Sequence, residues 1–331
     1  MSAPLELRVG FRGHCVGISA MRGKASVLVF CLGALIGSGA GDAEQASRID
    51  RPGEPCRSSV LAMSDDNICD STTATTWHHG LIARWWANFN LDGPEIAFFR
   101  CYVASGQPAL DVGCGSGRLL VPWVADGLDV DGVDASADMI GACRVAARAA
   151  GCDPVLYVQA THRLALPRRY RTIINCGAFG LGGSRADDTE GLRRLRAHLL
   201  PGGVLALDFE VGEFDDDRWR RWRTRPADET PPPSQARRLG PDGFHYALRH
   251  RITAVDVAER SVTREMQAWQ WQRDELVAHD THALVANVYS SNEIVTLLAT
   301  VGFTDVRVLG GYHGGAPTGL DGFHVFVAIA P

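Results

Sequence analysis

Asp111 stands two residues ahead of three glycines at alternate positions, Gly113, Gly115 and Gly117, with Cys114 inside the run. A second acid, Asp134, ends the next apolar stretch. Glycines after a short buried strand let the chain turn sharply and let a ligand touch bare backbone. The spacing is G-x-G-x-G. A dinucleotide fold wants G-x-G-x-x-G, where pyrophosphate meets a helix N-terminus. A carboxylate at Asp111 would repel pyrophosphate and suits a cationic group such as an ammonium.

These residues need a scaffold that brings strand ends together. Residues 108–112 read as a short buried strand, 117–125 as a helix interrupted near Pro122, and 128–133 as a second strand. Ser136 caps a helix that runs to about Ala150 and stops at Gly151. Strands follow at 155–159 and 172–176, then a helix over 187–200 closed by Pro-Gly-Gly, then a fifth strand over 204–209. Ahead of all this, helical spacing of apolar residues covers 81–89, and Pro94 opens a second helix. Such alternation implies an α/β fold, a Rossmann-like doubly wound sheet covered by helices on both faces, with ligands at the carboxyl ends of the strands. After strand five the pattern changes. Residues 215–243 are charged, Pro-rich and aperiodic, and read as a loop or lid. Three alternating runs, 246–255, 262–272 and 276–288, then predict an antiparallel β meander. A helix over 292–301 and strands over 304–309 and 324–329 complete the chain. The expected units are an extension (1–62), a ligand-binding domain (63–210), a loop and antiparallel insertion (211–290), and a C-terminal helix and strands that finish the main sheet (291–331).

The segments "LDVGCGSG", "DGVDAS" and "LLPGGVLALD", in this order, resemble the class I S-adenosylmethionine-dependent methyltransferases of the small-molecule type. The resemblance implies S-adenosyl-L-methionine as cofactor. It puts Asp111, Gly113, Cys114, Gly115 and Gly117 around the methionine part, Asp134 on the ribose hydroxyls, and Ala135 and Met139 beside the adenine. Thr161 and Cys176, after strands three and four, complete the implied cofactor set. Two departures stand out. Where the family often has an acid after strand three, this chain reads "QATH", so the adenine would rest on backbone and apolar contacts. Strand four opens "YR", with Arg171, rather than "FD".

The implied reaction is methyl transfer to an O or N atom of a small molecule. A nicotinamide-dependent oxidoreductase and a non-catalytic binder of the same cofactor are the alternatives. No residue is singled out as base; Glu210, His79 and His313 are the candidates, with Glu213 behind them. Trp77, His78 and His79 are candidates for a lid, and Trp219 and Trp222 for stacking on an aromatic substrate. In the meander both faces carry apolar residues, with Trp269 and Trp271 together on one of them. One face is expected on the main domain and the other against a ligand or a second subunit, which would make a homodimer.

Composition narrows the classes. The 331 residues are 46% hydrophobic and 21% charged, enough for a core, and the net charge of -5 excludes the basic excess of a nucleic-acid surface. The nine cysteines include no C-x-x-C pair, so neither a zinc site nor a disulfide framework is expected. Residues 21–40 have the layout of a secretory signal but too short an apolar run to span a bilayer. The competing reading is an over-long gene start with Met63 as the true one. Since the implied methyl donor is made inside cells, a cytoplasmic protein without membrane attachment is expected.

Overall fold

The computed structural model describes residues 76, 78–211, 232 and 234–331. The signal-like stretch, Met63, Trp77, Glu213, Trp219 and Trp222 lie outside the described residues.

Two helices, α1 (Gly80–Phe89) and α2 (Pro94–Ser105), precede the sheet. The main sheet is built from β1 (Ala109–Val112), β2 (Val130–Asp134), β3 (Leu156–Val158), β4 (Tyr170–Asn175) and β5 (Leu199–Glu210), all parallel. The C-terminal β10 (Thr304–Gly310) and β11 (Phe323–Ile329) join it antiparallel, giving the order β10-β11-β5-β4-β1-β2-β3. β1 and β2 are buried at every position because helices cover both faces, so their acids Asp111, Asp131 and Asp134 are buried with them. β1 lies between β4 and β2, so the chain leaves it toward one side early and returns on the other later. That reversal opens a crevice at the carboxyl ends of β1 and β4.

The helices that close this crevice are α3 (Leu120–Ala125), α4 (Ala137–Ala149) and α5 (Arg185–Ala197), with α6 (Ser291–Thr300) near the C-terminus. Ser136 caps α4 as its type demands, its hydroxyl accepting from the Met139 N–H at 3.1 Å. Two expected boundaries move. α3 starts at Leu120, not at Gly117, because the glycine run stays out of helical geometry; Pro122 then falls in the first turn, where its missing N–H costs nothing. α5 ends at Ala197, and Leu199 and Leu200 belong to β5, whose register against β4 shifts at the Pro201-Gly202-Gly203 turn.

The meander is a separate sheet, β6 (Arg238–Leu239), β7 (His245–Asp256), β8 (Ser261–Gln272) and β9 (Glu275–Asn287), paired antiparallel in chain order. One face packs Tyr246, Met266, Ala268 and Leu284 on Leu81, Ile82 and Trp85 of α1. The other holds Ala247, Trp269 and Trp271. Trp269 stacks on His279 with ring centroids 4.9 Å apart, and the Arg237 guanidinium lies 4.2 Å from the Trp271 ring centre. Both indoles are buried within the single chain, while Val285 on the same face is exposed.

Each loop glycine keeps a different neighbour close. A Cβ on Gly113 would meet Ala178 Cβ at 2.4 Å, and one on Gly117 would meet Val121 and Cys143 side chains at 2.6 and 2.7 Å. Both have positive φ, 74° and 88°. Gly117→Ala should therefore cost roughly 2–4 kcal/mol, the sum of a left-handed backbone and overpacking. Gly127→Ala shares the positive φ but meets nothing within 4 Å, and should cost only about 1–2 kcal/mol. Denaturant unfolding of the two variants measures the difference.

Candidate active site

The crevice at the carboxyl edge of the sheet is a cavity of about 190 Å³. Its floor is the glycine loop. The Gly113 and Cys114 N–H groups both donate to the Val133 carbonyl, at 2.8 and 3.1 Å, and so bind the loop to β2. Asp134 completes the fastening: its carboxylate accepts from the Gly115 N–H at 2.9 Å and from the Ser136 N–H at 2.8 Å. Burial nevertheless pushes the Asp134 carboxyl up, with those two hydrogen bonds working against it.

Asp111 is the outlier. It is 2% exposed, and its Oδ2 is buried with no hydrogen-bond partner. Its carboxyl is pushed up to about 7, first by burial and then by the nearby Asp134 charge. At the end of β4, the Oδ1 of Asn175 is likewise buried and unpartnered. Both residues line the cavity. Leaving a buried acceptor unsatisfied costs on the order of 1–3 kcal/mol, more for a charged group, so two at one edge mark a place for a donor.

The loop after β4 is held from below. Asp208 of β5 accepts from the Gly177 N–H at 2.5 Å, from the Cys176 thiol at 3.1 Å and from the Tyr312 hydroxyl. On the next wall, Asp188 of α5 accepts from Asn287 and from the Tyr289 hydroxyl, each at 2.7 Å. The roof comes from the N-terminal side. The Gly80 N–H donates to Asp138 of α4 and the Leu81 N–H to Asp280 of β9, both at 2.7 Å, so the start of α1 is tied to the main domain and to the meander. Ser136 also donates its hydroxyl to the His78 carbonyl. His78 thereby enters the cavity, its ring edge-on to Trp86 with centroids 5.1 Å apart. Burial, and then His79, holds its imidazole down to about 4.

Of the residues expected from sequence, Asp111, Gly113, Cys114, Gly115, Asp134, Ala135, Met139, Thr161 and Cys176 all line this cavity. Gly117 does not; its small size serves the contact with Val121 and Cys143. None of the three base candidates lines it either. Glu210 pairs with Arg264 at 3.2 Å beyond the end of β5. His79 lies next to His282, with ring centroids 6.0 Å apart. His313 is more than half exposed and sits 3.4 Å from Asp321. Sequence reasoning missed Asn175, Trp86, Asn90 and Arg118, and grouped His78 with its neighbours without separating them. The signal for His78 was the extended backbone of this segment, which turns neighbouring side chains opposite ways.

A family model described as a methyltransferase domain matches residues 109–203. The match confirms the resemblance seen in the glycine loop, Asp134 and the Pro-Gly-Gly stretch. No curated protein matches the chain. Among solved structures, a sugar N-methyltransferase from Streptoalloteichus is similar with a TM-score of 0.56 at 17% identity, over 82% of this chain and 99% of its own. The CcbJ methyltransferase from Streptomyces caelestis follows with a TM-score of 0.52 at 17% identity, over 71% and 87%. A S-adenosylmethionine-dependent methyltransferase from Clostridium acetobutylicum gives 0.51 at 13%, over 71% and 89%. These likenesses show the fold: the seven-stranded sheet is that of the class I methyltransferases.

The raised Asp111 carboxyl has a consequence for stability. Its proton is held more tightly in the folded chain than in the unfolded one, so the stabilisation is full below about pH 4 and is lost as pH rises through about 7. With no ligand, the protein should lose on the order of 4 kcal/mol across that window from this group alone. Asp111→Asn should flatten that slope, measured as denaturant midpoints between pH 5 and 8.

Proposed function

We propose that this chain, whose residues 109–203 match a methyltransferase domain, binds S-adenosyl-L-methionine and transfers its methyl group to an O or N atom of a small molecule. The observation that carries the reading is the unpartnered Asp111 Oδ2, buried beside a bare-backbone loop and accompanied by the unpartnered Asn175 Oδ1. An ammonium group supplies the donors both acceptors lack, and a positive charge draws the Asp111 carboxyl back to its ionised form. A pyrophosphate would do the opposite, which speaks against a nicotinamide dinucleotide.

When bound, the cofactor supplies a methyl on sulfonium sulfur, already activated for transfer. The protein has to hold and orient. Asp111 and Asn175 would take the amino-acid end. Asp134, fixed at both oxygens by backbone N–H groups, keeps lone pairs for a diol, and Ala135 and Met139 offer apolar surface beside it. Gln159, Ala160 and Thr161 line the far end, and none of the three is an acid that could meet an adenine amino group. α1 and the meander line the remaining space, where an acceptor can be aligned with the methyl group. Alignment supplies most of what such a reaction needs.

Calorimetry tests the reading. S-adenosylhomocysteine should bind in the micromolar range and NAD should not. Asp134→Ala should weaken S-adenosylhomocysteine by roughly 1.5–3 kcal/mol, the value of a hydrogen bond to a charged group. Binding of NAD in place of S-adenosylhomocysteine would overturn it.

A further inference from the structure

The cavity has two unlike halves. Among the described residues, every charged side chain that lines it comes from the strand ends, the loops that follow them, or α5. Nearly all are spent within the protein. Arg118 pairs with Glu95, Asp187 caps α5 through Ser184, Asp188 accepts from Asn287 and Tyr289, and Asp134 accepts from two backbone N–H groups. Among these described residues only Asp111 has a buried carboxylate oxygen without a hydrogen-bond partner, and it lies on the glycine-loop side.

The other half is made by Thr76 and His78 of the entry segment, Trp86 of α1 and Asn90 that follows it, and Met266 and Leu284 of the meander. The loop after β4 adds Phe179 and Leu181 and no charged group. Among the described residues that line this half, His78 is the one titratable group, and burial favours its neutral form. A charged acceptor would be stripped of water against this wall without compensation, a cost of several kcal/mol in general. A flat ring would instead lie against indole, phenyl and thioether surfaces.

We propose that the acceptor is an uncharged, ring-bearing molecule methylated on a hydroxyl oxygen, held by Trp86, Phe179, Met266 and Leu284. The inference rests on the methyl-transfer reading. An aliphatic amine, charged near neutral pH, does not suit this wall. In the transfer the acceptor oxygen forms the new O–C bond. The S–C bond breaks with its electron pair left on sulfur, and the hydroxyl proton leaves to solvent water. The amide of Asn90 adds a neutral polar group to this half.

The test uses the full chain saturated with S-adenosylhomocysteine. 2-Naphthol, as the uncharged probe, and glucosamine, as the cationic one, are titrated in a calorimeter. Naphthol should bind at least tenfold more tightly. Trp86→Ala should lose most of that affinity, Trp86→Phe should retain it in part, and both should bind S-adenosylhomocysteine as the unaltered chain does. Met266→Glu should reverse the preference toward glucosamine. With labelled S-adenosylmethionine, a panel of naphthols and hydroxycoumarins should accept label at least tenfold faster than a panel of amino sugars. Preference for amino sugars, or no naphthol binding by a protein that binds S-adenosylhomocysteine, overturns the acceptor class. Failure to bind S-adenosylhomocysteine overturns the methyl-transfer reading instead.

Discussion

A carboxylate buried without a donor is the constraint around which this molecule is arranged. Asp111 sits near the end of a strand covered on both faces, and its buried Oδ2 has no protein group to satisfy it. Of the polar groups nearby, only the Asn175 Oδ1 shares this lack of a partner. Asp134 is used to hold the glycine loop, Asp208 to hold the loop after β4, and Asp188 to tie α5 to β9 and to Tyr289. The result is a rigid edge with one open electrostatic demand, and a ligand cation answers it.

The second feature is how the roof is joined on. α1 has no charged residue of its own in its first turn, and borrows Asp138 from α4 and Asp280 from β9 for its free N–H groups. One helix end thus registers three elements that are far apart in sequence. Because the same segment carries His78 and Trp86, the position of the proposed acceptor wall depends on these two backbone hydrogen bonds. The meander contributes through one face only, and its tryptophans serve packing on the other.

Much of this was legible in the residues. The parallel strands, the Ser136 cap, the meander strands and nearly all of the glycine-loop edge follow from periodicity, turn chemistry and a motif whose parts lie close in sequence. What could not be read depends on partners distant in sequence. Gly117 looks like its two companions, and only the position of Cys143 on α4 reveals that it is small for packing. Trp269 and Trp271 show their common parity, but not that the chain itself covers them. Asn175 stands in no motif, and matters because β4 pairs with β1 in a register that ends both strands at one crevice. The three base candidates were chosen for chemical type, and none of them lines the cavity.

The central claim is that Asp111 meets the ligand's ammonium as a carboxylate. With its carboxyl near 7 in the free protein, part of the population is protonated at neutral pH and must release that proton on binding. Calorimetric titration of S-adenosylhomocysteine at pH 7, in buffers of different ionisation enthalpy, counts those protons. The account predicts release of about half a proton per ligand bound, falling toward zero by about pH 8.5 and absent in Asp111→Asn. Tight binding with no proton release at pH 7, or the same release in Asp111→Asn, would contradict it.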